Sequence, residues 1–243
     1  MPLEDLLEKP LPKIPADIAG TLQDPTLITL TAFEDKNRIL TDERLHMETG
    51  YRKFPGKQGY LVSMYCPMPG VTADMIAWWF WWHPREDLRY QVWFPGEHFS
   101  NRYPKREAPY FERDTMPEFQ PNTQLPTERI SGMRMPLRID FVEPRTFGFS
   151  PDAMERAGFP IIVCGHVGLL NGLVWHTEMA HMLKQTDDGL LLVSRFWLGR
   201  TLHNPLLRKF VLTDQTARGM AEHCCVEYRN LAQILPGLYH EYR

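Results

Sequence analysis

Apolar residues fall in runs whose period changes along the chain, and the changes predict where the elements lie. GYLVSMYCPM (residues 59–68) reads as a strand that Pro69-Gly70 ends. Thr72 is placed to cap a helix through ADMIAWWFWW, with Asp74 favourable to its dipole and Pro84 closing it. Trp78, Trp79, Phe80, Trp81 and Trp82 cover nearly every side of that helix, so it must be buried or line a cavity. Residues 83–136 are rich in prolines and aromatics, broken by DLRYQVWF (87–94). They predict a long ordered loop region of the kind that carries function. LRIDFV (137–142), FPIIVCGHVGLL (159–170), VWHTEMAHMLKQT (174–186) and GLLLVSRFWLG (189–199) read as strands. The last two join about Asp187-Asp188-Gly189, because an Asp-Gly step between apolar runs signals a hairpin. From 205 to 235 the period becomes helical: Ala217, Met220, Ala221, Cys224, Tyr228, Leu231 and Leu235 form one stripe, and Pro236-Gly237 is the expected stop.

Strands followed by a long helix imply an α+β fold, a curved sheet gripping the helix around a cavity. Residues 1–57 carry little periodicity beyond short helices at DLLEK and TDERLHM, and are expected to form an N-terminal arm or small subdomain ahead of a main domain at 58–243. Composition narrows the function. A net charge of −3 excludes a general polyanion binder, so no nucleic-acid partner is expected. No apolar run reaches the ~20 residues of a membrane span, and the acidic, proline-broken N-terminus lacks the pattern of a secretory signal. The 21 prolines exceed the usual ~5% and predict much ordered loop. Cys66, Cys164, Cys224 and Cys225 show no C-x-x-C spacing, and read as buried thiols in a reducing, cytoplasmic setting.

Candidate chemistry clusters in three places. In AEHCCVEY, His223 and Glu227 stand four apart and so project from one side of the helix. The commonplace reading of that spacing is a solvated pair. Met220 and Leu231 flank it, however, and a carboxylate on a core-facing surface is costly unless a cation offsets it. LRYQVWFPGEHFSN (88–101) gathers Tyr90, Trp93, Glu97, His98 and Asn101 about a Pro-Gly turn, with His98 as the candidate ligand. His83, beside Pro84, suits a helix-capping role. Glu128, in LPTERIS, is a third candidate whose default reading is an exposed strand-edge acid. His166 alternates with Ile162 and Cys164; it reads as a core histidine or as a cavity acid/base. On the next strand, alternation puts His176 and Glu178 on one face and His181 on the other. No G-x-S-x-G, H-E-x-x-H, P-loop or G-x-G-x-x-G is present.

RYQVWFPGEH, SRFWLG and especially HCCVEYRNLAQILPGLY together resemble the family of 2,4-diacetylphloroglucinol hydrolase and phloretin hydrolase, over roughly residues 60 to 240. The resemblance implies a Bet v 1-like helix-grip domain that binds Zn2+ in its cavity and hydrolyses the carbon-carbon bond between an acyl group and a phloroglucinol ring. It implies zinc ligands at His98, Glu128, His223 and Glu227, with Glu112 or Glu143 as alternatives to Glu128. It also implies substrate contacts from Tyr90, Asn101, His166 and His181, with catalytic roles for Tyr90 and His166. His181 stands where the family pattern suggests a tyrosine, and the tryptophan-rich helix is expected to wall a flat ring. The partner so implied is a small aromatic ketone, with a homo-oligomer left open. Two other readings stand beside it: a non-catalytic helix-grip carrier of aromatic polyketides, and a non-haem iron oxygenase, since two histidines and a carboxylate also suit Fe(II).

Overall fold

The computed structural model describes residues 2–56 and 59–243, so the expected boundary at residues 57 and 58 falls outside the described residues. The chain builds β1 (Gly50–Lys53), β2 (Tyr60–Pro69), β3 (His98–Ser100), β4 (Asn122–Gln124), β5 (Thr127–Ile130), β6 (Met133–Val142), β7 (Ile161–Leu169), β8 (Val174–Gln185) and β9 (Gly189–Leu198). All pair antiparallel in one nine-stranded sheet ordered β1-β2-β9-β8-β7-β6-β5-β3, with β4 also on β6. With helices gathered on the sheet, this is the α+β class. The loop expected over 83–136 instead contains two short α-helices (Asp87–Gln91 and Ala108–Phe111), three short strands and the start of β6. Short strands interrupted by proline carry too little alternation to stand out in sequence.

The β8–β9 hairpin forms as its Asp-Gly step predicts, with Gln185 opposite Leu190. Gly189 is required there by close approach, because a Cβ at this position would lie 2.4 Å from the Met68 carbonyl oxygen. Both faces of the sheet are covered. On the inner face Val62, Met64, Met179, Leu192 and Phe196 pack with the helices. On the outer face Leu61, Ile162, Ala180, Met182, Val193 and Trp197 pack with Ile28, Ile39, Leu40 and Leu45 of the N-terminal segment. That double cover makes the central strands read as nearly continuous apolar runs. The N-terminal segment thus contributes an edge strand and a buried layer, and its short helices at Leu3–Leu7 and Glu43–Leu45 match the expected ones.

The helix Ala73–Trp82 is capped as expected, Thr72 Oγ1 accepting from the Met75 backbone N–H at 3.3 Å. Its tryptophans mostly serve packing: Trp78 and Trp82 stack at 4.7 Å and meet Tyr239 and Tyr242 edge-on or tilted. The C-terminal helix runs Asp214–Tyr242, opened by Thr213 Oγ1 accepting from Thr216 N–H. Ala217, Ala221, Cys224, Tyr228, Leu231 and Leu235 are buried on it, as the stripe predicts. The expected stop at Pro236-Gly237 does not occur. Leu235 and Leu238 are buried on either side of Pro236, and the Trp78–Tyr239 contact holds the final turns, so packing outweighs the one hydrogen bond that proline removes. Among the described residues, no helix is long and apolar enough to cross a membrane.

Candidate metal centre

Between the inner face of the sheet and the C-terminal helix lies a cavity of about 270 Å³ with a mostly apolar lining. One end is polar, and four chain segments build it. Pro95-Gly96 turns the chain after the short helix, Gly96 taking φ 84°, and His98 N–H closes on the Phe94 carbonyl at 2.9 Å. His98 then opens β3, directly opposite Glu128 of β5. This segment is pinned to the long helix: Asn230 Nδ2 donates to the carbonyls of Val92 and Trp93 at 3.1 and 2.8 Å, and Trp93 Nε1 donates to the Glu227 carbonyl at 3.1 Å. One helix turn from Glu227, His223 completes the set.

The donor atoms converge. His98 Nε2 lies 3.2 Å from His223 Nε2 and 3.4 Å from Glu227 Oε2, while His223 Nε2 lies 3.8 Å from Glu227 Oε2 and 3.7 Å from Glu128 Oε2. His98, His223 and Glu227 form the tighter triad; Glu128 reaches it through His223, its other oxygen accepting from the Tyr90 hydroxyl. All four are buried. Burial pushes His98 and His223 down to about 4, so both rings are neutral near pH 7. Burial raises Glu128 and Glu227, offset by the neighbouring histidines and by hydrogen bonds from Tyr90 and from the Cys224 thiol.

These groups fit a divalent cation. The His98 Nδ1 faces the Tyr90 carbonyl at 3.3 Å, which can only accept, so Nδ1 carries the proton and Nε2 presents a lone pair. His223 likewise turns Nε2 toward the other three groups, and the Arg129 backbone favours a proton on the ring's other nitrogen. Two lone pairs then face each other beside two buried carboxylates, an arrangement that repels itself unless a cation of charge about +2 lies between them. A tetrahedral site with bonds of about 2.0–2.2 Å has edges of about 3.3–3.6 Å, close to the spacings found here. Glu112 and Glu143, the alternatives to Glu128, are both exposed and away from this cluster.

Around the centre, Tyr90 stacks on His98 with ring centroids 4.1 Å apart and planes 6° apart. Asn101 Nδ2 donates to Gln124 Oε1 at 2.8 Å and faces His83 Nδ1 at 3.4 Å. His181 lines the cavity beside Tyr228, with centroids 4.9 Å apart, and its Nδ1 meets Ser194 Oγ at 2.7 Å. Among the described residues, His83 Nε2, Asn101 Oδ1 and the Tyr228 hydroxyl have no hydrogen-bond partner although buried.

Two expectations need correction. His166 does not reach the cavity: β7 alternation turns Val167 and Leu169 inward and His166 outward, where its Nδ1 pairs with Glu178 Oε2 at 2.5 Å beside the Phe147 ring. His176 and Glu178 do not share a face, because the register shifts between Val167 and Gly168, leaving His176 as an extra residue that lines the cavity while Glu178 points out. The tryptophan-rich helix does wall the cavity as expected, through Phe80 rather than through one of its tryptophans. His83, expected at a helix end only, is a buried cavity residue. Its place between Phe80 and Tyr90 rings depends on long-range packing that spacing does not reveal. Tyr228 was legible as part of the stripe; that its hydroxyl has no partner was not.

Known proteins resemble this chain over most of its length. The DAPG hydrolase PhiG domain model matches residues 30–240. The 2,4-diacetylphloroglucinol hydrolase of Pseudomonas protegens is 34% identical over 238 residues, covering 88% of this chain and 75% of that protein. A 2,4-diacetylphloroglucinol hydrolase of a Pseudomonas species is 33% identical, covering 88% and 78%. The phloretin hydrolase of Eubacterium ramulus is 28% identical over 250 residues, covering 96% and 88%. With a matched segment that holds every donor atom of the buried centre, the chain belongs to the DAPG hydrolase PhiG domain family.

Proposed function

We propose that this chain is a zinc-dependent hydrolase that cleaves the carbon-carbon bond between an acyl group and a phloroglucinol-type ring. The observation that carries the reading is the meeting of two imidazole lone pairs and two carboxylates at one end of an apolar cavity, in a chain whose relatives are named for such substrates. His98, Glu128, His223 and Glu227 would hold the ion. When bound, zinc supplies Lewis acidity toward a ketone oxygen and lowers the pKa of water.

The chain's own groups do the rest. Hydrolysis gives the acyl carbon an oxygen and the ring carbon a proton, and phenolic hydroxyls next to that carbon ease the change by letting the ring take a keto form. Asn101 Nδ2 is the donor facing His83 Nδ1, so His83 Nε2 carries a proton and donates, Asn101 Oδ1 accepts, and the Tyr228 hydroxyl can do either. These three buried, unpaired atoms suit three ring hydroxyls. Tyr90 holds Glu128 Oε1 and so aims Oε2 toward His223. Burial keeps the Tyr90 and Tyr228 phenols protonated by raising both well above their ordinary value. The apolar walls exclude bulk water and strengthen each polar contact.

The same reading takes the sheet and its crossing helix as a Bet v 1-like helix-grip, and the setting as cytoplasmic, supported by four buried, unpaired cysteines. Metal content of the purified protein and release of carboxylic acid from acylated phloroglucinols test it together. About one zinc per chain with acid release supports the reading; metal-free protein that binds these ketones unchanged would make it a carrier. The tighter His98–His223–Glu227 triad also suits Fe(II), and oxygen consumption with substrate would select that chemistry.

A further inference from the structure

Three connections leave the sheet at one end: the β5–β6 turn, the β7–β8 turn and the segment that follows β9. They hold six of the ten large hydrophobic side chains exposed among the described residues, namely Met133, Leu170, Leu173, Leu206, Leu207 and Phe210. Leu173 is 82% exposed, Phe210 73% and Leu206 69%. Met133 and Phe210 also line the cavity, so these side chains stand around its mouth. The short helix that carries three of them, Pro205–Val211, is fixed in place. Asn204 Oδ1 caps it by accepting from the Leu206 and Leu207 N–H groups at 3.0 and 3.2 Å, and Arg208 Nη1 donates to the Gly199 carbonyl at 2.6 Å. Val211 and Leu212 line the cavity, while Leu206 and Leu207 face out. A crest of exposed apolar side chains gathered at one place marks an interaction surface.

Charge follows the same map. Residues 131–139, 167–177 and 199–213 contain Arg134, Arg138, Arg200, Arg208 and Lys209 and no Asp or Glu, although the chain as a whole carries −3. Arg138 and Arg200 pair with Asp140 and Glu34 from outside these stretches, whereas Arg134 and Lys209 have no ion pair among the described residues. An apolar crest edged by cations fits an anionic bilayer, whose acyl boundary takes the apolar side chains and whose headgroup phosphates meet the basic ones. Docking of this kind needs no spanning helix. A second copy of this chain fits less well, since a two-fold contact would bring the same cations together. A protein laid over all three connections would close the mouth, whereas a lipid surface opens it onto the phase in which apolar molecules collect. We propose that this end of the sheet is a membrane-docking surface that seats the cavity mouth on anionic lipid, so that an apolar ligand passes from bilayer to cavity without crossing water. The docking stands apart from the hydrolase reading; that the ligand is an acylated phenol rests on it.

The test is co-sedimentation of the full chain with vesicles of phosphatidylcholine alone, and of phosphatidylcholine with about one third phosphatidylglycerol. Wild type should bind the anionic vesicles about tenfold better or more, and lose most of that gain in about 0.5 M sodium chloride. Leu173→Gln combined with Leu206→Gln should weaken partitioning by about tenfold or more, and Lys209→Gln by about fivefold on the anionic vesicles alone. All three side chains are exposed, so the variants should keep the circular dichroism of the wild type. Wild type that stays in the supernatant with both vesicles overturns the proposal, as does undiminished binding by the double variant. Sedimentation velocity without lipid is read in parallel: self-association of wild type that the double variant loses, with no vesicle binding, would assign the patch to a second copy and overturn the lipid reading. Leu173 and Leu206 lie outside the cavity lining, so the metal-loaded double variant should keep wild-type turnover of water-soluble acetylphloroglucinol and be slowed about fivefold or more on a long-chain acylphloroglucinol dissolved in the anionic vesicles. Equal rates on the vesicle-bound ketone would overturn the transfer from bilayer to cavity. If wild type hydrolyses neither ketone the hydrolase reading fails, and vesicle binding across the variants still decides the docking surface.

Discussion

The Nε2 atoms of His98 and His223 face each other at 3.2 Å although the residues are 125 positions apart. Neither ring has a proton to give at that point, so the contact suits the cation proposed to lie between them. Removing the ion should leave two carboxylates and two lone pairs crowded in a dry site. We expect chelation to lower the melting temperature by about 10 °C and zinc to restore it, as linkage predicts for an ion held well above its Kd. His223→Ala should abolish binding and turnover while leaving a folded chain; full activity in that variant would remove the centre from the reaction.

Tyr90 touches the centre twice, by stacking on His98 and by donating to Glu128. Tyr90→Phe keeps the stack and deletes the hydrogen bond. Zinc affinity, measured by competition with a chromophoric chelator, should fall by about tenfold or more, with circular dichroism unchanged. An unaltered affinity would mean that Glu128 needs no orientation.

Gly219 of the long helix lies against Ser131 in the β5–β6 turn, and a Cβ there would sit 1.9 Å from Ser131 Oγ. This contact seats the β5 segment carrying Glu128 against the helix carrying His223 and Glu227. Gly219→Ala should cost about 1–3 kcal/mol of stability and weaken zinc binding as well. Adding Ser131→Gly should recover much of both, measured by urea unfolding and metal titration.

His166 is held above its ordinary value of 6.5, chiefly by its hydrogen bond to Glu178. A raised folded-state pKa means that the pairing stabilises fully below the ordinary value and is lost as pH rises through the folded-state value. The wild type should therefore lose more stability than His166→Gln as pH rises from below the ordinary value of 6.5 into the alkaline range, by urea midpoints. Because His166 lies outside the cavity, His166→Gln should keep kcat within about twofold. A loss of about a hundredfold or more would place it back in the reaction.

Local chemistry was legible wherever neighbours in sequence settle the structure. Thr72 as a cap, the hairpin at Asp187-Asp188-Gly189 and the stripe from Ala217 to Leu235 all depend on residues a few positions apart, and all form. The i, i+4 spacing of His223 and Glu227 likewise guaranteed a shared helix side. The order of strands, the short strands within 83–136 and the helix through Pro236 were not legible, because packing partners far along the chain decide them.

The sequence by itself determined the residue types of the centre, the alternation of the strands and the apolar side of the helix, since periodicity is a local property of the backbone. Tertiary structure decided which of those residues meet. One extra residue in β8 turned His176 into the cavity, and the parity of β7 turned His166 out of it. Parity and register are relations between strands, set by pairing and by which face is buried, and no single strand carries them alone.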